Sequence, residues 1–186
     1  MYYSKIKFIA KDIIFIIVII LMALYATHHI YYKFKDVQNV DYSSKSLDIV
    51  FHSDGGDRVI LEKATPVTDA VGLSSNAYTL SIKNNLTEGV TYELKLHDDV
   101  EKTIEDNCID NTIPKELIRV SIRKNNDKAK IFTLSELTDG NLDTVEMKAL
   151  EKIDYSIRVW VAASQTPVAK DAHYHGIIKV IEKEVK

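Results

Sequence analysis

The sequence predicts an all-β domain, an antiparallel β-sandwich of the immunoglobulin-like or jelly-roll kind, preceded by an N-terminal transmembrane or signal helix. From Leu47 onward, apolar residues alternate with polar ones, which is typical of strands with one buried and one solvated face. About eight such segments are separated by polar turns, as in sandwiches. A long uncharged apolar run occupies residues 13–26, before the alternation begins.

The alternating segments define the predicted strands in order. They are residues 46–51, 58–63, 77–82, 90–96, 117–123, 129–134, 153–161 and 175–183. The Gly55-Gly56 pair between the first two suits a hairpin turn. Residues 132–150 fit either a short helix or a strand with loops, and we favour the latter because Asp139-Gly140-Asn141 would break a helix. A short helical turn is expected within residues 110–117.

The apolar run decides whether the domain is tethered or released. A helix over residues 13–26 spans about 21 Å, less than the roughly 30 Å of a hydrocarbon core. Extension through Ile30 reaches spanning length, and the tyrosines and lysines that follow suit a membrane interface. More lysines precede the run than follow it, which predicts a cytoplasmic N-terminus.

We therefore expect a single-pass type II membrane anchor with the domain outside the cell. The expected organisation is a cytoplasmic segment at 1–12, a transmembrane helix at 13–32, a stalk at 33–45 and an extracytoplasmic β-sandwich at 46–186. The alternative is a signal peptide cleaved after Ala26, which would release a secreted domain. Leu24 would then occupy the −3 position, where signal peptidases favour small residues, and this favours the anchor.

Charge and motifs exclude several functions. Of the 24 lysines and arginines, five lie in the first 36 residues, as do two of the 27 acidic residues. The rest of the chain therefore carries a net charge of −6 and lacks the basic stripe that nucleic acid requires. No glycine-rich phosphate loop, nucleophile elbow or HExxH motif occurs. We expect no nucleic-acid partner, no cofactor and no enzymatic activity.

The single cysteine, Cys108, lies in an acidic segment. It has no intrachain disulfide partner, and the neighbouring carboxylates would raise the pKa of its thiol. We interpret it as a small residue in a polar loop. The acidic residues between Asp98 and Asp110 offer oxygens of the kind that calcium binds, but their spacing is not that of a calcium loop. A solvated acidic loop is expected there.

The best candidate site is a metal site in the last strand. If this segment is extended, Asp171, His173 and His175 project to one face, because side chains alternate along a strand. Two imidazoles and a carboxylate suit Zn²⁺ or Cu²⁺. His52 or His97 would complete the set from another strand. The alternative is a solvated strand edge or a hydrogen-bonded turn.

Arg158 and Trp160 share the polar face of the strand at 153–161, which makes them a candidate interface. Tryptophan and arginine are enriched at interaction hot spots. The alternative is that Trp160 packs under a loop with Arg158 stacked on its ring.

Residues 59–99 carry a family resemblance. The features are an apolar strand, a turn with Pro and Asp, a strand that begins with an aromatic residue and ends in Asn-Asn, and a strand with an acidic end: Val59–Leu61, Pro66–Asp69, Tyr78–Asn85 and Tyr92–Asp99. The segments YSIRVWVAAS and HGIIKV continue the pattern. It resembles exported Firmicutes β-sandwich proteins of unassigned function and is remotely similar to biofilm-matrix fibre proteins and camelysins, the TasA-like group. The resemblance implies a surface or matrix role and supplies no catalytic residue.

Three functions are consistent with these observations. The first is a membrane-anchored or secreted cell-surface β-sandwich with a structural or interaction role, whose edge strands bind a protein partner or another copy of the chain. The second is an extracytoplasmic ligand- or metal-binding module. The third is an accessory subunit of a membrane machine.

Overall fold

The computed structural model describes residues 22, 25, 46–108, 111–164, 167–169 and 171–183. The chain divides into two units, Met1–Asn39 and Val40–Lys186, and all strands described below belong to the second. The expected cytoplasmic, transmembrane and stalk segments lie outside the described residues, apart from Met22 and Tyr25. Within the described part, no helix has the length and apolar character needed to cross a membrane.

The described residues form two antiparallel sheets, which confirms the prediction of an all-β, sandwich-like domain. The strands are β1 (Leu47–Phe51), β2 (Arg58–Glu62), β3 (Tyr78–Asn84), β4 (Val90–Asp98), β5 (Ile118–Lys124), β6 (Lys130–Thr133), β7 (Asn141–Met147), β8 (Lys152–Val161) and β9 (His173–Lys183). One sheet has the order β1-β3-β8-β5-β6, and the other has the order β2-β9-β4-β7. All paired strands within them are antiparallel.

The apolar faces of the two sheets form one core. Leu80 of β3 and Ile157 of β8 are buried there, as their alternation predicts, together with Leu94 of β4. A polar contact also crosses the core, where the hydroxyls of Tyr92 and Tyr155 lie 2.8 Å apart. The Tyr155 hydroxyl donates to Asp143 at 2.9 Å, so this buried pair is hydrogen-bonded to the edge strand β7.

Two short helices lie against the sheets. Helix α1 (Asp69–Gly72) packs on β8, and helix α2 (Val100–Glu105) packs on β9. The domain also contains three 3-10 turns, Lys115–Leu117, Leu134–Glu136 and Thr138–Gly140. The first of these is the helical turn expected before β5. The acidic segment expected to be a solvated loop instead contains α2, because Asp99 caps it by accepting a bond from the backbone of Lys102.

The hairpin predicted at Gly55-Gly56 is wrong. The turn is present, with Gly56 at a φ of 61°, but it joins strands of different sheets. Strand β1 pairs with β3 and strand β2 pairs with β9. A glycine pair shows that the chain turns but does not show which strand becomes the next neighbour. The ambiguous segment between residues 132 and 150 forms turns and strand β7, as favoured from the sequence.

Candidate metal centre

Strand β9 positions two histidines on one face of its sheet. His173 and His175 begin the strand, and the residue between them, Tyr174, is buried in the core on the opposite face. This follows from the alternation of side chains along a strand. The side chain of His175 is only 1% exposed, because α2 and the residues after it cover the strand.

The end of α2 brings Cys108 to this face. The backbone N–H of Cys108 donates to Thr103 O at 3.0 Å, and the N–H of Asn107 donates to Ile104 O at 3.0 Å. Asn107 has a φ of 55°, in the left-handed region. These two bonds and the left-handed residue constitute a Schellman motif, which ends the helix and reverses the chain. The reversal places the Cys108 thiol against β9.

Backbone hydrogen bonds hold this segment on β9 at both ends. The N–H of Asp99, before α2, donates to His175 O at 2.9 Å. The N–H of Ile113 donates to His173 O at 2.8 Å, and Thr112 forms a parallel bridge with His173. The two histidines are therefore tied through their own carbonyls to the segment that carries the thiol. We refer to residues 99–108 and 111–113 as the α2 cover.

The three side chains lie within reach of one ion. Cys108 Sγ is 2.8 Å from His173 Nδ1, and the ring centroids of the two histidines are 6.0 Å apart. One ligand atom from each of Cys108, His173 and His175 lies within 4.8 Å of the other two. Both ring nitrogens of His175 are buried and have no hydrogen-bond partner among the described residues.

Acidic groups surround the cluster. Burial raises the pKa of the Cys108 thiol, and the carboxylates of Asp106 and Glu62 raise it further. The pKa of Asp106 is lowered, chiefly by its bond to Lys102 and also by the two histidines. Glu62 lies opposite His173 in the β2–β9 register and so shares its face. A cation placed between the thiol and the imidazoles would be favoured by this negative field.

The donor set fits a borderline or soft metal ion. Thiolate and imidazole are the ligands that zinc and copper prefer. With Zn–N distances of about 2.0–2.1 Å and a Zn–S distance of about 2.3 Å, ligand atoms on a tetrahedral zinc stand about 3.3–3.6 Å apart. The thiol and one imidazole are 2.8 Å apart, and no separation within the set exceeds 4.8 Å, so this range falls within the observed limits. Small side-chain adjustments therefore suffice to hold an ion.

The structure brings together only some of the metal ligands that the sequence predicts. His173 and His175 lie together, whereas Asp171 is exposed in the turn before β9 and does not belong to the group of three. His52 follows β1 at the edge of the other sheet, where its Nε2 is 2.8 Å from Ser81 Oγ. His97 faces Ile177 across the β4–β9 pair and is not part of the group either.

Arg158 and Trp160 lie beneath α1 and the residues that follow it. The indole of Trp160 is 4% exposed, and a Cβ added to Gly72 of α1 would overlap its ring. Arg158 donates from Nε to Ser75 O at 2.9 Å and from Nη1 to Ser156 Oγ at 3.1 Å. The burial of Trp160 agrees with the packing part of that alternative, whereas the stacking of Arg158 on its ring stays a prediction.

Sequence reasoning missed Cys108 as a member of the cluster. The thiol and the first imidazole are 65 residues apart in the sequence, and their contact depends on the pairing of α2 with β9. A usable signal was the Asn-Cys pair after a short run of helix formers, since asparagine is a common left-handed residue at helix ends. That signal predicts a reversal of the chain but not the strand that it meets.

No protein-family model, curated protein or solved structure matches the chain significantly.

Proposed function

We propose that the domain is an extracytoplasmic β-sandwich module that binds a transition metal ion through Cys108, His173 and His175. The observation that carries the proposal is the buried imidazole of His175, whose two ring nitrogens have no hydrogen-bond partner among the described residues. An unsatisfied buried polar group costs about 1–3 kcal/mol. Coordination through one nitrogen would remove part of this cost and would place the metal beside the thiol.

Coordination would join two parts of the domain that are distant in sequence. Cys108 belongs to the α2 cover, and both histidines belong to β9. An ion bound to all three would act as a clip between the cover and the four-stranded sheet. This role suits a domain with a single cysteine, because a disulfide within the chain cannot supply the same restraint.

Calorimetric titration of the full chain in a non-ionic detergent with Zn²⁺ and Cu²⁺ tests the proposal. We expect micromolar or tighter binding with one ion per chain, lost in His173→Ala and in Cys108→Ala. His97→Ala is the matched control, because His97 lies on the same sheet outside the cluster, and it should bind normally. Absence of binding in the wild type, or equal loss in the control, would contradict the proposal.

A structural or interaction role is the second candidate, and the edge strands favour it. Three of the edge strands carry an exposed β-branched apolar residue: Val50 of β1, Ile60 of β2 and Ile131 of β6. Such residues beside unpaired backbone groups can accept a strand from another chain. The resemblance to exported surface and matrix proteins supports the same role, and an accessory subunit of a membrane machine remains a third candidate.

Sedimentation velocity of the full chain in the same detergent measures whether these edges associate. We expect the wild type to associate at high concentration and Val50→Lys and Ile131→Lys to lower that association. Val71→Lys, which alters an exposed residue on α1 and not an edge, should leave it unchanged. A wild type that sediments as one species at all concentrations would exclude self-association and leave a different protein as the partner.

The connections between the strands favour a jelly roll over an immunoglobulin-like sandwich. Every connection between successive strands except that of the β5–β6 hairpin passes from one sheet to the other. An immunoglobulin-like sandwich places more of its successive strands in the same sheet. We infer a jelly-roll-like sandwich.

The cellular location follows from the sequence of residues 13–32, and we propose a single-pass anchor with the domain outside. The N-terminal sequence and mass of protein from native membranes and from the medium test this. An intact N-terminus in the membrane fraction supports the anchor. A mature chain that begins at Thr27 in the medium would show instead that the domain is secreted.

A further inference from the structure

The Asp106 carboxylate lies beside His175, just outside the group of three ligand atoms that lie within 4.8 Å of one another. Its Oδ2 is 3.7 Å from His175 Nε2, which is too long for a hydrogen bond. Donor atoms that share a tetrahedral zinc are about 3.3–3.6 Å apart, so this separation is close to that of two ligands. Asp106 is the C-cap residue of α2, and its backbone oxygen lies 3.3 Å from Cys108 Sγ.

We propose that Asp106 is the fourth ligand and that the centre is a closed Cys-His₂-Asp zinc site. This inference rests on the proposed metal function and specifies its ligands, its ion and its character. Structural zinc sites have four protein ligands, whereas catalytic sites keep one position for water. A closed site agrees with the burial of Cys108 and His175, each 3% exposed.

Charge favours the same set of ligands. Zn²⁺ with one thiolate and two neutral imidazoles has a net charge of +1, and burying an uncompensated charge is costly. A carboxylate ligand makes the centre neutral. Glu62 is the other nearby carboxylate and, like Asp106, is an exposed residue, but it is the Asp106 carboxylate that lies 3.7 Å from His175 Nε2.

Without metal, Lys102 forms an ion pair with Asp106 and also lies close to Glu105. Its Nζ is 2.9 Å from Asp106 Oδ1 and 3.2 Å from Glu105 Oε2. Rotation of Asp106 toward the ion leaves Lys102 paired with Glu105. The exchange therefore replaces one ion pair without leaving a lysine unpaired.

Cobalt substitution of the full chain in a non-ionic detergent tests the fourth ligand directly. Co²⁺ in the wild type should give a thiolate charge-transfer band and the intense visible bands of four-coordinate cobalt. In Asp106→Asn we expect the thiolate band to remain and the visible bands to shift as water replaces the carboxylate, and to weaken if more than one water binds. Zinc affinity, measured by competition with a chelating dye, should fall at least about tenfold.

Two further variants lie on the same helix: one is a control, and the other tests the competition between Lys102 and the metal ion. Glu105→Gln removes a carboxylate that shares Lys102, and it should leave both the spectrum and the affinity unchanged. Lys102→Met removes the competitor for Asp106 and should raise zinc affinity. Melting of each variant without metal shows that it is folded.

The outcomes separate this inference from the function on which it rests. A wild type without a thiolate band would overturn both. A wild-type thiolate band with unchanged spectrum and affinity in Asp106→Asn would overturn the fourth ligand and leave the three-residue site. The same change of spectrum and affinity in Glu62→Gln instead of Asp106→Asn would assign the position to Glu62 and overturn the inference.

Discussion

The two short helices cover the outer faces of the two sheets in different ways. Helix α1 lies over Trp160 on the five-stranded sheet and approaches the indole so closely that only glycine fits at position 72. Helix α2 lies over His173 and His175 on the four-stranded sheet and adds a thiol beside them. Helix α1 therefore buries the largely apolar ring of Trp160, whereas the α2 cover buries imidazole groups whose nitrogens have lone pairs.

This difference separates buried side chains that packing explains from buried side chains that indicate a bound ligand. Under each helix, ring nitrogens have no hydrogen-bond partner among the described residues, namely Trp160 Nε1 under α1 and both nitrogens of His175 under α2. An indole N–H is a donor only and cannot bind a cation, while a neutral imidazole always has one nitrogen that can. The cover at α1 is explained by packing alone. The α2 cover contains coordinating atoms that packing does not require.

Trp160→Ala should have the largest effect on stability. Truncation of a buried tryptophan leaves a cavity and costs about 3–5 kcal/mol of unfolding free energy. Chemical denaturation of the full chain followed by circular dichroism measures the loss. The zinc-dependent increment in stability should be the same as in the wild type, because the two covers lie on different sheets. A lost zinc response would show that the two covers are coupled.

Zinc should stabilise the domain by the next largest amount. At a free zinc concentration one hundred times the dissociation constant, the unfolding free energy should rise by about 2.7 kcal/mol. Thermal melting with and without zinc measures this. The increment should disappear in Cys108→Ala and His175→Ala and should persist in His97→Ala. A zinc response in Cys108→Ala equal to that of the wild type would remove the thiol from the site.

The zinc response should also depend on pH. Burial and nearby carboxylates raise the pKa of the Cys108 thiol, so the metal-free thiol carries its proton at neutral pH. Binding as thiolate releases that proton, and affinity therefore increases as pH rises from about 6 to 8. Titrations in buffers of different ionisation enthalpy measure the proton release. A flat affinity across this range would indicate coordination without the thiol.

The sheets were more predictable than either cover. Alternation identifies Leu80 and Ile157 as core residues because each strand has one buried face, and this signal lies within a few residues. The strand order does not follow from it, as the Gly55-Gly56 turn shows. His173 and His175 are neighbours in a strand, so their shared face was foreseeable. Cys108 was not, because its position depends on how α2 meets β9.

Gly72→Ala should cost less than the loss of Trp160. The added methyl overlaps the indole, and overpacking of this kind costs about 1–3 kcal/mol. Val71→Ala, on the exposed side of the same helix, should change stability by less than about 0.5 kcal/mol. In a Trp160→Ala background the penalty at position 72 should vanish. A penalty that remains there would show that the backbone of α1, and not the indole, requires glycine.

The smallest effect on stability should come from substitutions at the N-caps of α1 and α2, where the two helices also differ. The Asp99 side chain accepts a bond from Lys102 N at 3.0 Å, whereas Thr68, the N-cap of α1, makes no side-chain cap bond. Asp99→Ala should therefore cost about 1 kcal/mol, and Thr68→Ala only a few tenths. Asp99→Asn keeps the cap and removes only the charge that faces Arg58 at 3.4 Å, so it should resemble the wild type.

These cap variants also test whether α2 positions the thiol. Loosening of α2 in Asp99→Ala should weaken zinc binding, since the Schellman motif that places Cys108 ends the same helix. Thr68→Ala should leave zinc binding unchanged, because α1 contributes nothing to the cluster. Zinc titration of both variants, with Asp99→Asn as reference, makes the comparison. If Asp99→Ala binds zinc as tightly as the reference, the backbone bonds from the cover to β9 are sufficient to position the thiol, and the cap stabilises the helix alone.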